Sequence, residues 1–146
     1  MPTAAAIIAG QHERKAVERV VLRLPMPPSS NAVWAHRKGG GVRLSDRYRR
    51  WLTDAGWRIN QQRPGRIAGG YVLTLWLPAV SRMDQDNCIA GVSDILQSFG
   101  IIGNDRDAEE THLHWHGSSN DLIAELRPFV GLARVQRSCT ATEVAA

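Results

Sequence analysis

The stretch YVLTLWLP, residues 71–78, constrains the fold of this chain more than any other. It is an apolar run of strand length that ends at a proline, a residue that cannot donate to a sheet ladder. An acidic segment comes next: SRMDQDNCIAGVSDILQSFGIIGNDRD, from Ser81 to Asp107. Within it, Asp84 or Asp86 can cap a helix whose apolar positions are Ile89, Val92, Ile95, Leu96 and Phe99. Gly100 stands where a C′ glycine belongs.

Upstream, VERVVLRL (17–24) alternates as a strand does, with Val20, Leu22 and Leu24 on one face. PMPPSSN (25–31) stops it, and WAHRKGGGVRLS (34–45) reads as an exposed, mobile, basic loop. DRYRRWLTDAGWRINQQ (46–62) carries a helical stripe of Tyr48, Trp51, Leu52, Ala55 and Ile59 with arginines on its other faces. Downstream, ETHLHWH (110–116), the turn GSSN and DLIAELRPF (121–129) read as a β-hairpin. The order β, loop, α, β, α, β, β predicts a small α/β (α+β) domain with a mixed sheet and two main helices. Residues 1–15 are expected to be a flexible arm, 16–130 the single domain, and 131–146 a disordered tail.

No stretch approaches the ~18 consecutive apolar residues of a membrane span. The N-terminal AAAIIAG has no positive region before it, which argues against a signal peptide. Two cysteines, Cys88 and Cys139, make neither a disulfide framework nor a zinc site, so a cytoplasmic location is expected. Charge is placed unevenly. Arg37 to Arg66 holds nine bases against two acids, whereas Asp84 to Glu125 holds nine acids against one base. A basic track for phosphates beside an acidic pocket for a metal is what a nucleic-acid enzyme needs. Arginine dominates the bases, with only two lysines, which suits bidentate phosphate contacts.

Clustered carboxylates repel by roughly 4 kcal/mol per pair at 4 Å and an effective dielectric near 20. Water, a proton or a metal ion must offset that if the fold gathers them. In an extended loop Asp84 and Asp86 project to the same side and can aim at one point. Asp105 lies 19 residues after Asp86 and could return to the same end only if IIGN (101–104) spans the gap. Hard oxygen ligands of this kind suit Mg²⁺, or Mn²⁺. Spacing alone leaves open that Asp84 and Asp86 are helix caps and Asp105 a turn residue.

LPMPPSSN (24–31) followed by a basic loop, and DQDN at 84–87 followed by Asp94 and Asn104-Asp105, resemble the RusA-type Holliday junction resolvases over roughly Leu24 to Phe129. The resemblance implies a homodimeric, Mg²⁺-dependent endonuclease of phage or prophage origin that cuts four-way DNA junctions. It places the catalytic, metal-binding carboxylates on Asp84, Asp86 and Asp105, with Asp94, Asn87 and Asn31 in support. Arg37, Lys38, Arg43, Arg47, Arg50 and Arg82 are the candidate DNA-binding residues. A lysine of the family pattern, one helical turn after DxDN, is here Ala90. Arg82, Lys38 and His112 are the residues that could take its place. That departure leaves two alternatives: a branched-DNA-binding protein without catalysis, and a nuclease of this fold acting on other nucleic-acid structures.

His112, His114 and His116 share one face of the expected strand and read as structure or DNA-facing surface, with His112 the one functional candidate. Trp34, beside the basic loop, is placed to stack on an unpaired base.

Overall fold

In Tyr71–Pro78 (β4) every second side chain, from Tyr71 through Leu73, Leu75 and Leu77, is buried, and those between are half-buried. A strand covered on one face and partly covered on the other belongs inside a sheet, and β4 lies there in the computed structural model, which describes residues 14–132. Expectations that fall on 1–13 or 133–146, including most of the arm and tail and Cys139, lie outside the described residues.

The main sheet has four strands in the order β1-β6-β4-β5, where β1 is Val20–Leu24, β5 is Ala108–His116 and β6 is Leu122–Pro128. β6 pairs antiparallel with both β1 and β4, and β5 pairs parallel with β4. The expected mixed sheet with two main helices is therefore present. The expected hairpin of β5 with β6 is not, because β4 lies between them. Burial explains the exchange. β6 sinks Leu122, Ala124 and Leu126 into the core and needs a strand on each side, whereas β5 has no fully buried residue and suits an edge. The connection through GSSN is closed by His116 Nε2 at 2.8 Å from the carbonyl oxygen of Asp121.

The stretch 34–45 is not an irregular loop. Trp34–His36 (β2) and Val42–Leu44 (β3) pair antiparallel as a separate two-stranded hairpin, and Gly39, Gly40 and Gly41 all take positive φ at its tip. Only glycine adopts three such turns in a row without strain. Ser45, just after β3, starts the helix Asp46–Gln62 (α1) by accepting the Tyr48 N–H at 3.1 Å. Its buried stripe is Tyr48, Trp51, Ala55, Gly56 and Ile59, as the periodicity predicts, with Leu52 at its margin. The last turn of α1 also protects the sheet. The Gln62 amide accepts from Arg23 N–H at 2.8 Å and donates to Arg23 O at 2.9 Å, occupying the outer edge of β1 as a further strand would.

The second helix, Ile89–Ser98 (α2), begins after a 3-10 turn at Gln85–Cys88 and buries Val92, Ser93, Ile95 and Leu96. Phe99 and Ile101 continue that apolar face into the core. The two helices meet where Gly56 faces the Phe99 ring. Arg14 and Lys15, expected in the arm, are tied down. Arg14 Nε donates to Phe99 O at 2.8 Å and Nη1 to Pro64 O at 3.1 Å, while Lys15 O accepts from Arg66 N–H at 2.9 Å.

Candidate active site

The acidic residues are positioned by the crossover β4–α2–β5. Because β5 runs parallel to β4, the chain must travel back along α2 before the next strand can begin. Asp84 and Asp86 therefore sit beyond the C-terminal end of β4, at the entry to α2. Asp105 sits beyond the exit of α2, at the start of a 3-10 turn (Asp105–Asp107) beside the first residue of β4. Tyr71 marks that end: its hydroxyl donates to Asp105 O at 3.4 Å. α2 has ten residues, so its ends are about 15 Å apart. IIGN does not bring Asp105 back to Asp84 and Asp86 within one chain. Among the described residues no three His, Cys, Asp or Glu side chains stand close enough to hold a metal ion.

At the entry end, Asp84 lies in a cleft of about 480 Å³ with Asn31, Arg47, Arg82 and Asn87. Five of the twelve residues expected at the site are thus together. Ser30 Oγ donates to Asn87 Oδ1 at 3.0 Å, tying the PPSSN segment to the acidic turn. Asp84 is the N-cap residue of that turn by position, yet its side chain makes no capping hydrogen bond. Asp86 comes next within the turn, and its charge, after burial itself, helps push the buried Cys88 thiol up to about 11. Ala90 is exposed one turn into the helix region and brings no cation to this end.

At the exit end, Asp94 and Asp105 line a second cleft, of about 570 Å³, with Trp34, Leu44, Tyr48 and Gln97. Burial, and then the charge of Asp105, raise the Asp94 carboxyl above its ordinary range. Burial, with the charges of Asp105 and Asp107, pushes the Tyr71 phenol up to about 12. Two residues outside the expected set hold Asp105 in place. Gln97 Oε1 accepts the Asp105 N–H at 3.0 Å, and Asn104 Oδ1 accepts the Arg106 N–H at 2.9 Å. Asn104 was visible as a turn former directly before an aspartate. Gln97 carried no signal, since only the return of the chain brings it to residue 105.

The basic residues divide as well. Arg37 and Lys38 flank the glycine tip of the hairpin and are exposed. Arg43 donates to Asp46 Oδ1 at 3.0 Å, and Arg49 pairs with the same carboxylate, which these two guanidiniums hold below its ordinary range. Arg50 lies in a separate depression on α1 with Arg49 and Thr53. His112, His114 and His116 line neither of these clefts: His112 pairs with Glu110 at 3.0 Å, His114 stacks on Trp76 at 5.7 Å, and His116 binds the loop to β6.

No hydrogen bond or ion pair among the described residues engages the carboxylates of Asp84, Asp86 or Asp105, and all three residues are exposed. As a donor set they fit Mg²⁺ or Mn²⁺, which takes one or two protein carboxylates and completes its shell with water and phosphate. A pair from one end of α2 meets that demand, and a set of three from one chain does not form.

The fold and these residues define a small mixed α+β domain that presents unspent carboxylates at both ends of one helix, beside an arginine-rich helix and hairpin. Such a domain is similar to the crossover junction endodeoxyribonuclease RusA of Aquifex aeolicus (strain VF5), with 28% identity over 122 residues. The match covers 80% of this chain and 95% of that protein, so the resemblance extends well beyond the two motifs. No family model matches the chain.

Proposed function

We propose that the protein is a metal-dependent endonuclease that cuts branched DNA, with four-way junctions of recombination and repair as its substrate. The observation that carries this reading is the set of exposed, unengaged carboxylates of Asp84, Asp86 and Asp105 next to a basic surface. A surface that only bound phosphate would gain nothing from them, because each repels the ligand. The similarity to a crossover junction endodeoxyribonuclease over most of both chains supports the same conclusion.

In this reading Asp84 and Asp86 hold Mg²⁺, and Asp105 serves a site built with a second copy of the chain. The length of α2 between the two acidic ends supports a homodimer in which the entry end of one copy meets the exit end of the other. When bound, the ion supplies Lewis-acid stabilisation of charge on the phosphate. The chain's own residues do the rest. Ser30 fixes Asn87 beside Asp84, Gln97 and Asn104 fix the backbone around Asp105, and Arg47 and Arg82 offer donors to the phosphates that flank the cut. A two-fold dimer presents two such sites to the two opposed strands of a junction.

Mixed dimers test the arrangement. Asp86→Asn and Asp105→Asn chains should each be inactive alone on a synthetic junction with Mg²⁺. Co-expressed, they should regain one whole site per mixed dimer and nick a single strand. Inactive mixed dimers beside an active unaltered protein would refute the shared site.

Ala90 favours a second reading, a junction-binding protein without catalysis, because the exposed position near Asp86 lacks a cation. Tight junction binding with no cleavage in Mg²⁺ or Mn²⁺ by the unaltered chain would establish that reading instead.

A further inference from the structure

The β2–β3 hairpin belongs to neither helix layer nor main sheet, and its two faces differ in chemistry. Trp34 pairs with Leu44 and His36 with Val42, so these four side chains share one face, while Ala35 and Arg43 share the other. The first face is apolar and open: Trp34 is 59% exposed and Val42 is 53% exposed. Its root is rigid. Ser45 N–H donates to Val33 O at 2.8 Å and Ser45 Oγ to Ala32 O at 2.6 Å, and Val33 and Leu44 pack against the core. Asp94, Asp105 and Arg106 line the same cleft as Trp34. An indole held open on a fixed base, in a cleft of about 570 Å³, can receive a flat ligand of nucleotide size.

Charge selects among flat ligands. Arg37 and Lys38 follow Trp34 by three and four residues and form an exposed basic rim at the tip of the same hairpin, roughly 10–13 Å along the chain, within reach of the phosphates of a strand whose base lies on the indole. Apolar protein surface would not match that rim, whereas a base with its phosphates does.

We infer that Trp34 is a specificity-determining residue that stacks on an unpaired nucleobase at a DNA branch point, with Arg37 and Lys38 holding the neighbouring phosphates. A paired base inside a duplex offers no free face, so this contact separates branched from intact DNA. The inference rests on the proposed action on branched DNA and adds to it the means of discrimination. Gln97, in the same cleft, is committed to the Asp105 N–H.

The test uses the full chain in EDTA, so that no strand is cut, with 2-aminopurine at the crossover of a four-way junction and, separately, in a plain duplex. Stacking on indole quenches 2-aminopurine. The unaltered protein should quench the junction probe and leave the duplex probe bright. Trp34→Ala should abolish the quenching and weaken junction binding by about 5- to 150-fold, with duplex affinity unchanged. Trp34→Phe should restore most of both, which a merely structural role would not require. Since Trp34 is largely exposed, a thermal melt of Trp34→Ala should match that of the unaltered chain. Junction binding and quenching that survive Trp34→Ala would overturn the stacking while leaving the branched-DNA reading intact. Failure of the unaltered chain to bind the junction at all would overturn both.

Discussion

Gly56→Ala tests the joint that sets the basic helix against the acidic one. A Cβ at Gly56 would lie 2.4 Å from Phe99 Cζ, with Cε2 at 3.2 Å and Cε1 at 3.3 Å. Carbon atoms at ease stand 3.5–4.0 Å apart, so the first contact is about 1 Å too close. The ring has little room to retreat. Phe99 is 2% exposed, its N–H donates to Ile95 O at 3.0 Å, and its carbonyl accepts from Arg14 Nε at 2.8 Å. Overpacking of this kind costs about 1–3 kcal/mol, and three close ring atoms place it in the upper half of that range. Against it stands the helix-forming advantage of alanine over glycine, about 1 kcal/mol. The net expectation is a loss of about 1–2 kcal/mol in urea unfolding monitored by far-UV circular dichroism. Phe99→Leu in the same chain should recover part of the loss, giving a coupling of about 1 kcal/mol in a double-mutant cycle. A Gly56→Ala protein as stable as its parent, or a cycle with no coupling, would refute the close approach of the two helices.

The charges lead to two further outcomes. Junction affinity should fall steeply with salt, and replacing Arg37 and Lys38 together by alanine should reduce the slope of log K against log[salt] by about 1–2, as each phosphate contact is lost; an unchanged slope would take the hairpin tip off the DNA. Burial alone would raise the Glu125 carboxyl, but hydrogen bonds from Arg127 (3.1 Å) and Arg19 (2.8 Å) outweigh it and hold its pKa below the ordinary 4.5. A depressed carboxyl stabilises the fold above its unfolded value and loses that contribution as pH falls through the folded one. Glu125→Gln should therefore cost on the order of 1 kcal/mol at pH 7, and paired denaturation curves should draw together as pH falls below 4.5 and through the folded value; a gap that does not narrow anywhere on acidification would mean the carboxylate charge is not what the pairing uses.

Local periodicity along the chain settled the two helices and the strand between them. Tyr48, Trp51, Ala55 and Ile59 recur at helical spacing, and the helix Asp46–Gln62 forms with Ser45 as its cap. Tyr71–Pro78 alternates into a strand and stops at its proline, and α2 buries the stripe read from Val92, Ile95 and Leu96. Motif spacing also singled out Asp84, Asp86 and Asp105, and the structure leaves all three exposed with carboxylates unengaged among the described residues. Which segments meet was decided only in three dimensions. β5 and β6 are neighbours in the chain and read as a hairpin, but strand partners are chosen by how much apolar surface each can bury, and β4 takes the place between them. The same choice makes β5 parallel to β4, which obliges α2 to carry the chain from one end of the sheet to the other. Asp105 is thereby separated from Asp84 and Asp86 by the helix that spacing alone had allowed to fold back. Trp34 gained its open face in the same way, from a cross-strand register with Val42 and Leu44 that no local pattern specifies.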